Sequence, residues 1–169
     1  MKQTRFGFAK ESSAFGGARK PGRKGMRPLC NKRGVHLILK TRRNLFKESQ
    51  TVLTTVSPMA NKFGVKIYNL AIAFDHAHFL LKFPSRDAYR KFIRAITGLL
   101  AKKLGAKLFT QAPFTRLFTW QSEYWILKRY MEQNREETLG HRPYRERKRA
   151  RGFACGPASS TPTRTESPA

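Results

Sequence analysis

Apolar residues change their period along this chain in a definite order, and the order predicts the elements. Val35–Thr41 (VHLILKT) alternates apolar and polar positions as a half-buried strand does. Ser49–Phe63 instead places Val52, Leu53, Val56, Met59, Ala60 and Phe63 at helical spacing. Pro58 lies inside that stripe; it removes one backbone hydrogen bond and is expected to kink or split the helix. Lys66–Ala73 (KIYNLAIA) and Ala77–Phe83 (AHFLLKF) are β-like runs joined through Phe74–Asp75, as in a hairpin. Asp87–Leu104 carries Phe92, Ile93, Ile96, Leu99, Leu100 and Leu104 on one face of a helix. Phe114–Trp120 reads as a fourth strand. Ser122 is then expected to cap a last helix, with Glu123 in its first turn, running to about Glu137.

The resulting order is β-α-β-β-α-β and then α. Two βαβ-type halves around one antiparallel sheet make an α+β, ferredoxin-like plan with an additional C-terminal helix. Composition divides the chain into three regions. Residues 1–33 form a basic, Gly-rich arm expected to be extended and flexible, with Arg19, Lys20, Arg23, Lys24 and Arg27 able to track phosphates. Residues 34–140 hold nearly all the long apolar periodicities and are expected to form the folded domain. Residues 141–169 begin with a second basic run, containing Arg145, Arg147, Lys148 and Arg149, and end in a Ser-, Thr- and Pro-rich tail expected to be disordered.

Charge narrows the partner. The chain has 35 Lys and Arg against 10 Asp and Glu, a formal charge of +25. Such an excess points to a polyanion, most simply DNA or RNA, and clusters at both ends of the folded region favour direct contact. Cys30 and Cys155 are too far apart in sequence for a CxxC metal site and too few for a disulfide framework, which fits a reducing cytoplasm. No run approaches the length of a membrane span, and the first residues lack the apolar core of a secretory signal.

Residues 74–81, FDHAHFLL, hold two of the four histidines. On a strand, His76 and His78 project from one face, and two imidazoles a pleat apart can hold one metal ion. HxH alone is a weak motif, and taken alone it is better explained by two polar residues on a half-exposed strand. The last helix, SEYWILKRYMEQNREE, sharpens the reading. Tyr130 and Asn134 are i and i+4 on one edge, while Tyr124, Leu127 and Met131 form a neighbouring stripe that faces the sheet. An amide oxygen can serve as a third, harder ligand to a divalent ion with an open coordination shell. A tyrosine beside it carries a group suited to covalent attack on phosphorus. Tyr68, Tyr89, Tyr124 and Tyr144 have Ile72, Ile93, Lys128 and Lys148 four residues on, so only Tyr130 has such a ligand at that spacing. Gln133 competes with Asn134 as the third ligand, and an ordinary packed aromatic is the alternative for Tyr130.

An HxH strand followed by a helix bearing Y-x-x-x-N, in a small basic domain of this plan, resembles the HUH single-tyrosine transposases. Asn rather than Gln at the last position is similar to the REP-associated tyrosine transposases. RPLCNKRGVHLILKTRR, YRKFIRAITGLLAKKLGA, and PFTRLFTW followed by YMEQNREE resemble further stretches of that group, so the likeness spans about residues 22–140. Asp75, where these proteins commonly have Asn, and Pro58 are departures; neither removes a proposed ligand. The resemblance implies that His76, His78 and Asn134 hold Mg²⁺ or Mn²⁺ on a phosphate of single-stranded or hairpin DNA. It further implies that Tyr130 attacks that phosphate to form a 5′-phosphotyrosine, which a 3′-hydroxyl later reverses. Some relatives exchange the tyrosine helix in a homodimer whereas REP-associated ones act as monomers, so either state fits.

Arg116, Trp120 and Trp125 fall near the last strand and helix, where a base could stack, although core packing is the simpler reading of both tryptophans. His36 and His141 read as structural or exposed. Two other functions fit the charge and the fold: a repeat-binding protein of the same fold without catalysis, and a ferredoxin-like RNA-binding protein. The second leaves the HxH and YxxxN pair without a purpose.

Overall fold

The computed structural model describes residues 14–17, 26–45 and 47–143. In these residues the elements run β1 (Ala14–Gly17), β2 (Gly34–Lys40), α1 (Ser49–Lys62), β3 (Lys66–Ile72), β4 (His76–Lys82), α2 (Arg86–Leu104), β5 (Ala112–Phe118) and α3 (Ser122–Thr138). The sheet order is β1-β5-β2-β4-β3, and every neighbouring pair is antiparallel. The four strands expected from the sequence therefore lie in the order fourth, first, third, second, the arrangement of a ferredoxin-like sheet. The fifth, β1, comes from the segment read as a flexible arm and extends the sheet at β5.

Period-two alternation gives the sheet two faces. Val35, Leu37 and Leu39 of β2, with Ala77, Phe79 and Leu81 of β4, point towards α1 and α2, where Val52, Val56, Phe92, Ile96 and Leu100 close the larger core. The opposite face carries a smaller cluster in which Leu127 and Met131 of α3 pack on Ala71, Leu80 and Phe118. Each fully buried Val, Leu, Ile, Phe or Met side chain among them contributes about 1.5–3 kcal/mol. In β3, an irregularity between Ile67 and Asn69 leaves Tyr68 outside the pairing, against Trp120 at a ring separation of 4.4 Å.

The helix ends differ from expectation in two places. Pro58 does not split α1, because it sits on the exposed side, where the carbonyl four residues back belongs to the exposed Thr54. Ser122 is the first residue of α3 rather than its cap, and Gln121 precedes it without a side-chain cap bond. Glu123 reaches back instead: its Oε2 accepts from Thr119 N at 2.6 Å and from Thr119 Oγ1 at 2.9 Å. For α2, Ser85 is the cap, its hydroxyl accepting from Ala88 N at 3.1 Å. No helix among the described residues is long and apolar enough to cross a membrane.

Candidate active site

The site forms where α3 passes over the start of β4. Two bonds pin the turn into that strand: Thr41 N and Thr41 Oγ1 donate to Asp75 O at 2.7 and 3.0 Å. His76 and His78 then project from the α3 side of the sheet, with ring centroids 4.6 Å apart. His78 is 1% exposed. The packing of Leu127 and Met131 on the sheet sets the rotation of α3, and the next turn brings Asn134 and Tyr130 to the histidines. Asn134, itself buried, places Nδ2 3.4 Å from His78 Nε2. Tyr130 meets the His78 ring edge-on at a centroid distance of 5.6 Å. Gln133 points elsewhere, donating to Glu137 Oε1 at 3.2 Å.

Two further residues complete the neighbourhood. Asp75 Oδ1 lies 2.6 Å from His76 Nδ1, and Lys40 Nζ lies 3.7 Å from Asp75 Oδ2. The His76 hydrogen bond, aided by the charges of His76 and Lys40, holds the Asp75 carboxyl below the usual carboxylate range. His36, read as structural or exposed, is buried on β2 with Nε2 3.0 Å from His78 Nδ1. Burial above all, with Arg116 and His76 nearby, pushes His36 down to about 4. One signal in the sequence pointed to it: His36 occupies the polar phase of an otherwise apolar strand. The pairing of β2 with β4, which brings that phase beside the HxH face, is not visible in the sequence.

Among the described residues, no three His, Cys, Asp or Glu side chains are grouped to hold a metal ion. The donors that stand together are two imidazoles and an amide. That set suits a divalent cation that keeps part of its coordination shell open for a substrate.

The candidate DNA contacts separate. Arg27 is turned inward: its Nη1 donates to Phe15 O at 3.3 Å, Pro113 O at 2.9 Å and Thr115 Oγ1 at 2.6 Å, and the guanidinium lies 4.6 Å from the Phe15 ring centroid. It fastens β1 to β5. Desolvation lowers its pKa from the ordinary arginine value. Arg116 lies on β5 opposite His36 of β2, with Nη2 3.5 Å from Glu123 Oε1. Trp120 is packed among Tyr68, Phe118 and Tyr124, its indole donating to Lys32 O at 3.1 Å. Trp125 departs from the packing expected of it: it is 62% exposed, with Lys128 Nζ 5.2 Å from its ring centroid. Arg19, Lys20, Arg23, Lys24, Arg145, Arg147, Lys148 and Arg149 lie outside the described residues.

Comparison with known families decides what this chain belongs to. The family model described as Transposase IS200 like matches residues 31–139, most of the chain. The chain belongs to the IS200-like transposase family. Among solved structures, this family member is similar to a REP-associated tyrosine transposase bound to a REP hairpin, at 9% identity and a TM-score of 0.53, covering 70% of this chain and 74% of that one. At that identity the likeness supports the fold alone. A proposed transposase from Deinococcus radiodurans R1 is 20% identical over 69% of this chain and 98% of its own, with a TM-score of 0.45. No curated protein matches the sequence.

Proposed function

We propose that this transposase-family chain nicks and rejoins single-stranded or hairpin DNA through a covalent link to Tyr130. The observation that carries the reading is the convergence of Tyr130 and Asn134 of α3 with His78 of β4, beside the smaller core. In the forward step Tyr130 Oη attacks a backbone phosphorus and the P–O3′ bond breaks. The phenol gives up its proton and the departing 3′ oxygen takes one up. A 5′-phosphotyrosine and a free 3′-hydroxyl result. The reverse attack by a 3′-hydroxyl restores a phosphodiester, so the bond's energy is conserved and no nucleotide cofactor is called for.

His76, His78 and Asn134 would hold Mg²⁺ or Mn²⁺, which would draw charge from a non-bridging phosphate oxygen. Asn134 rather than Gln133 is the third ligand in this reading, because only its amide stands beside the histidines. Arg116 and the basic segments at both ends supply phosphate contacts, and the exposed Trp125 with Lys128 offers a base-stacking surface. The REP hairpin held by the structural neighbour supports hairpin DNA as the substrate class.

The test is incubation with single-stranded hairpin DNA from the sequence flanking the gene, with Mn²⁺, scored for a protein–DNA adduct on a denaturing gel. An adduct lost in Tyr130→Phe and on chelation is expected. An adduct that survives Tyr130→Phe removes that tyrosine from its role. Tight metal-independent binding without any adduct replaces the enzyme by a repeat-binding protein.

A further inference from the structure

Both histidines of the HxH pair are held through the same ring atom, by partners from different places in the chain. Asp75 Oδ1 is 2.6 Å from His76 Nδ1, and His36 Nε2 is 3.0 Å from His78 Nδ1. Neither partner is loosely placed. The Asp75 carbonyl accepts two bonds from Thr41, and its second carboxylate oxygen faces Lys40. His36 is 5% exposed, and its ring lies nearly parallel to that of His78, at 17° and 5.2 Å.

Hydrogen-bond chemistry then assigns the protons. An ionised carboxylate only accepts, so the nitrogen facing Asp75 carries hydrogen, and the neutral form of His76 then has its unprotonated nitrogen at Nε2. For His78 the contact with His36 allows either direction, since each neutral imidazole has one donor and one acceptor. The third neighbour selects between them. The Asn134 amide nitrogen, a donor, lies against His78 Nε2, which makes Nε2 the acceptor and puts the proton on Nδ1. His78 Nδ1 therefore donates to His36 Nε2, and His36 keeps its own proton on Nδ1.

We infer that His36 and Asp75 are positioning residues that lock His78 and His76 as Nδ1–H tautomers, so that each presents an unprotonated Nε2 to a cation. The inference rests on the reading of the HxH pair as metal ligands and adds a residue from β2 to that site. Metal-bound imidazoles generally rely on such an outer partner to fix ring orientation and tautomer. Here the two partners differ in kind, one charged and half-exposed, the other a neutral ring sealed in the sheet.

The experiment reads tautomers first. Long-range ¹⁵N–¹H correlation spectra of the metal-free full chain, at mildly alkaline pH, distinguish Nδ1–H from Nε2–H for each histidine. Mn²⁺ titration followed by electron paramagnetic resonance gives affinity. His36, His76 and His78 are all expected as Nδ1–H in the unaltered chain. His36→Phe should release only His78 from that tautomer, and Asp75→Ala only His76. Each should weaken Mn²⁺ binding by about 10- to 100-fold. His36→Gln and Asp75→Asn, whose amide oxygens still accept from Nδ1–H, should recover most of that loss. Should His36→Phe fail to fold, the unaltered spectrum and the His36→Gln titration decide. An Nε2–H tautomer at His76 or His78 in the unaltered chain overturns the inference, as does Mn²⁺ affinity indifferent to these substitutions. Expected tautomers and Mn²⁺ binding without a DNA adduct would overturn the nicking reading and leave this inference standing.

Discussion

Asn134 Nδ2 lies 3.4 Å from His78 Nε2, although the two residues are 56 positions apart and on different elements. Its neighbour Gln133 is bonded along α3 to Glu137. The two amides should therefore separate cleanly. Asn134→Ala is expected to weaken Mn²⁺ binding by about 10- to 100-fold and to lower adduct formation with it, whereas Gln133→Ala leaves both near the unaltered level. Calorimetric Mn²⁺ titration of the two variants checks this, and equal losses would remove the distinction.

Tyr130→Phe removes one oxygen and keeps the ring that packs against His78 and the smaller core. Loss of the covalent adduct with a change in stability under about 1 kcal/mol is expected. Denaturant unfolding beside the gel assay tests both halves; a large destabilisation would assign the hydroxyl a structural role.

Arg27 joins β1 to β5 through three acceptors, and its guanidinium lies over Phe15 of β1 and Tyr89 of α2. Arg27→Ala should lose about 1–3 kcal/mol, as hydrogen bonds of a part-buried charged group are removed. The effect is local to the sheet edge. Hydrogen exchange at residues 14–17 should quicken well beyond that in β2 and β4, and uniform quickening would count against an edge staple.

Glu123 is held below the ordinary carboxyl range chiefly by the backbone N–H of Thr119, with the Thr119 hydroxyl and Arg116 adding to it. A depressed carboxyl stabilises the fold above its unfolded pKa, and the contribution is lost as pH falls through the folded value. Acid unfolding of the unaltered chain should thus include a component that begins near pH 4.5, the reference value for this carboxyl, and extends below it. Glu123→Gln should be less stable near neutrality and show a flatter acid limb in thermal melts taken across that range.

Trp125 is solvent-facing and carries Lys128 on its ring. Trp125→Ala should therefore leave the melting temperature unchanged. As a stacking surface, its loss should cost about 1–3 kcal/mol in binding of single-stranded DNA. Fluorescence quenching of the indole on titration with an oligonucleotide is the direct check, and unchanged affinity would assign the residue to the plain surface.

Most of the architecture is legible in the periods. The α2 stripe, the apolar phases of β2 and β4, and the inward row Leu127–Met131 on α3 lie where periodicity put them, because burial of one face depends on spacing alone. Pro58 and Ser122 misled for a common reason: the effect of a local breaker or cap depends on which side of the helix meets water and on what lies within reach. β1 was invisible because four residues, two of them glycine with positive φ, carry no period. Arg27 holds that edge only because Pro113 and Thr115 come to it from 86 and 88 residues along the chain.

The sequence by itself determined the ferredoxin-like order, the pairing of an HxH strand with a YxxxN helix, and the family. Each of these is a matter of residue type and spacing within one element. Only the tertiary structure decided that Asn134 and not Gln133 stands by the histidines, that His36 lies beneath His78, and that Arg27 faces inward. Those facts follow from strand register and from the rotation of α3 on its apolar row, and register is set by long-range pairing and packing that no local spacing encodes.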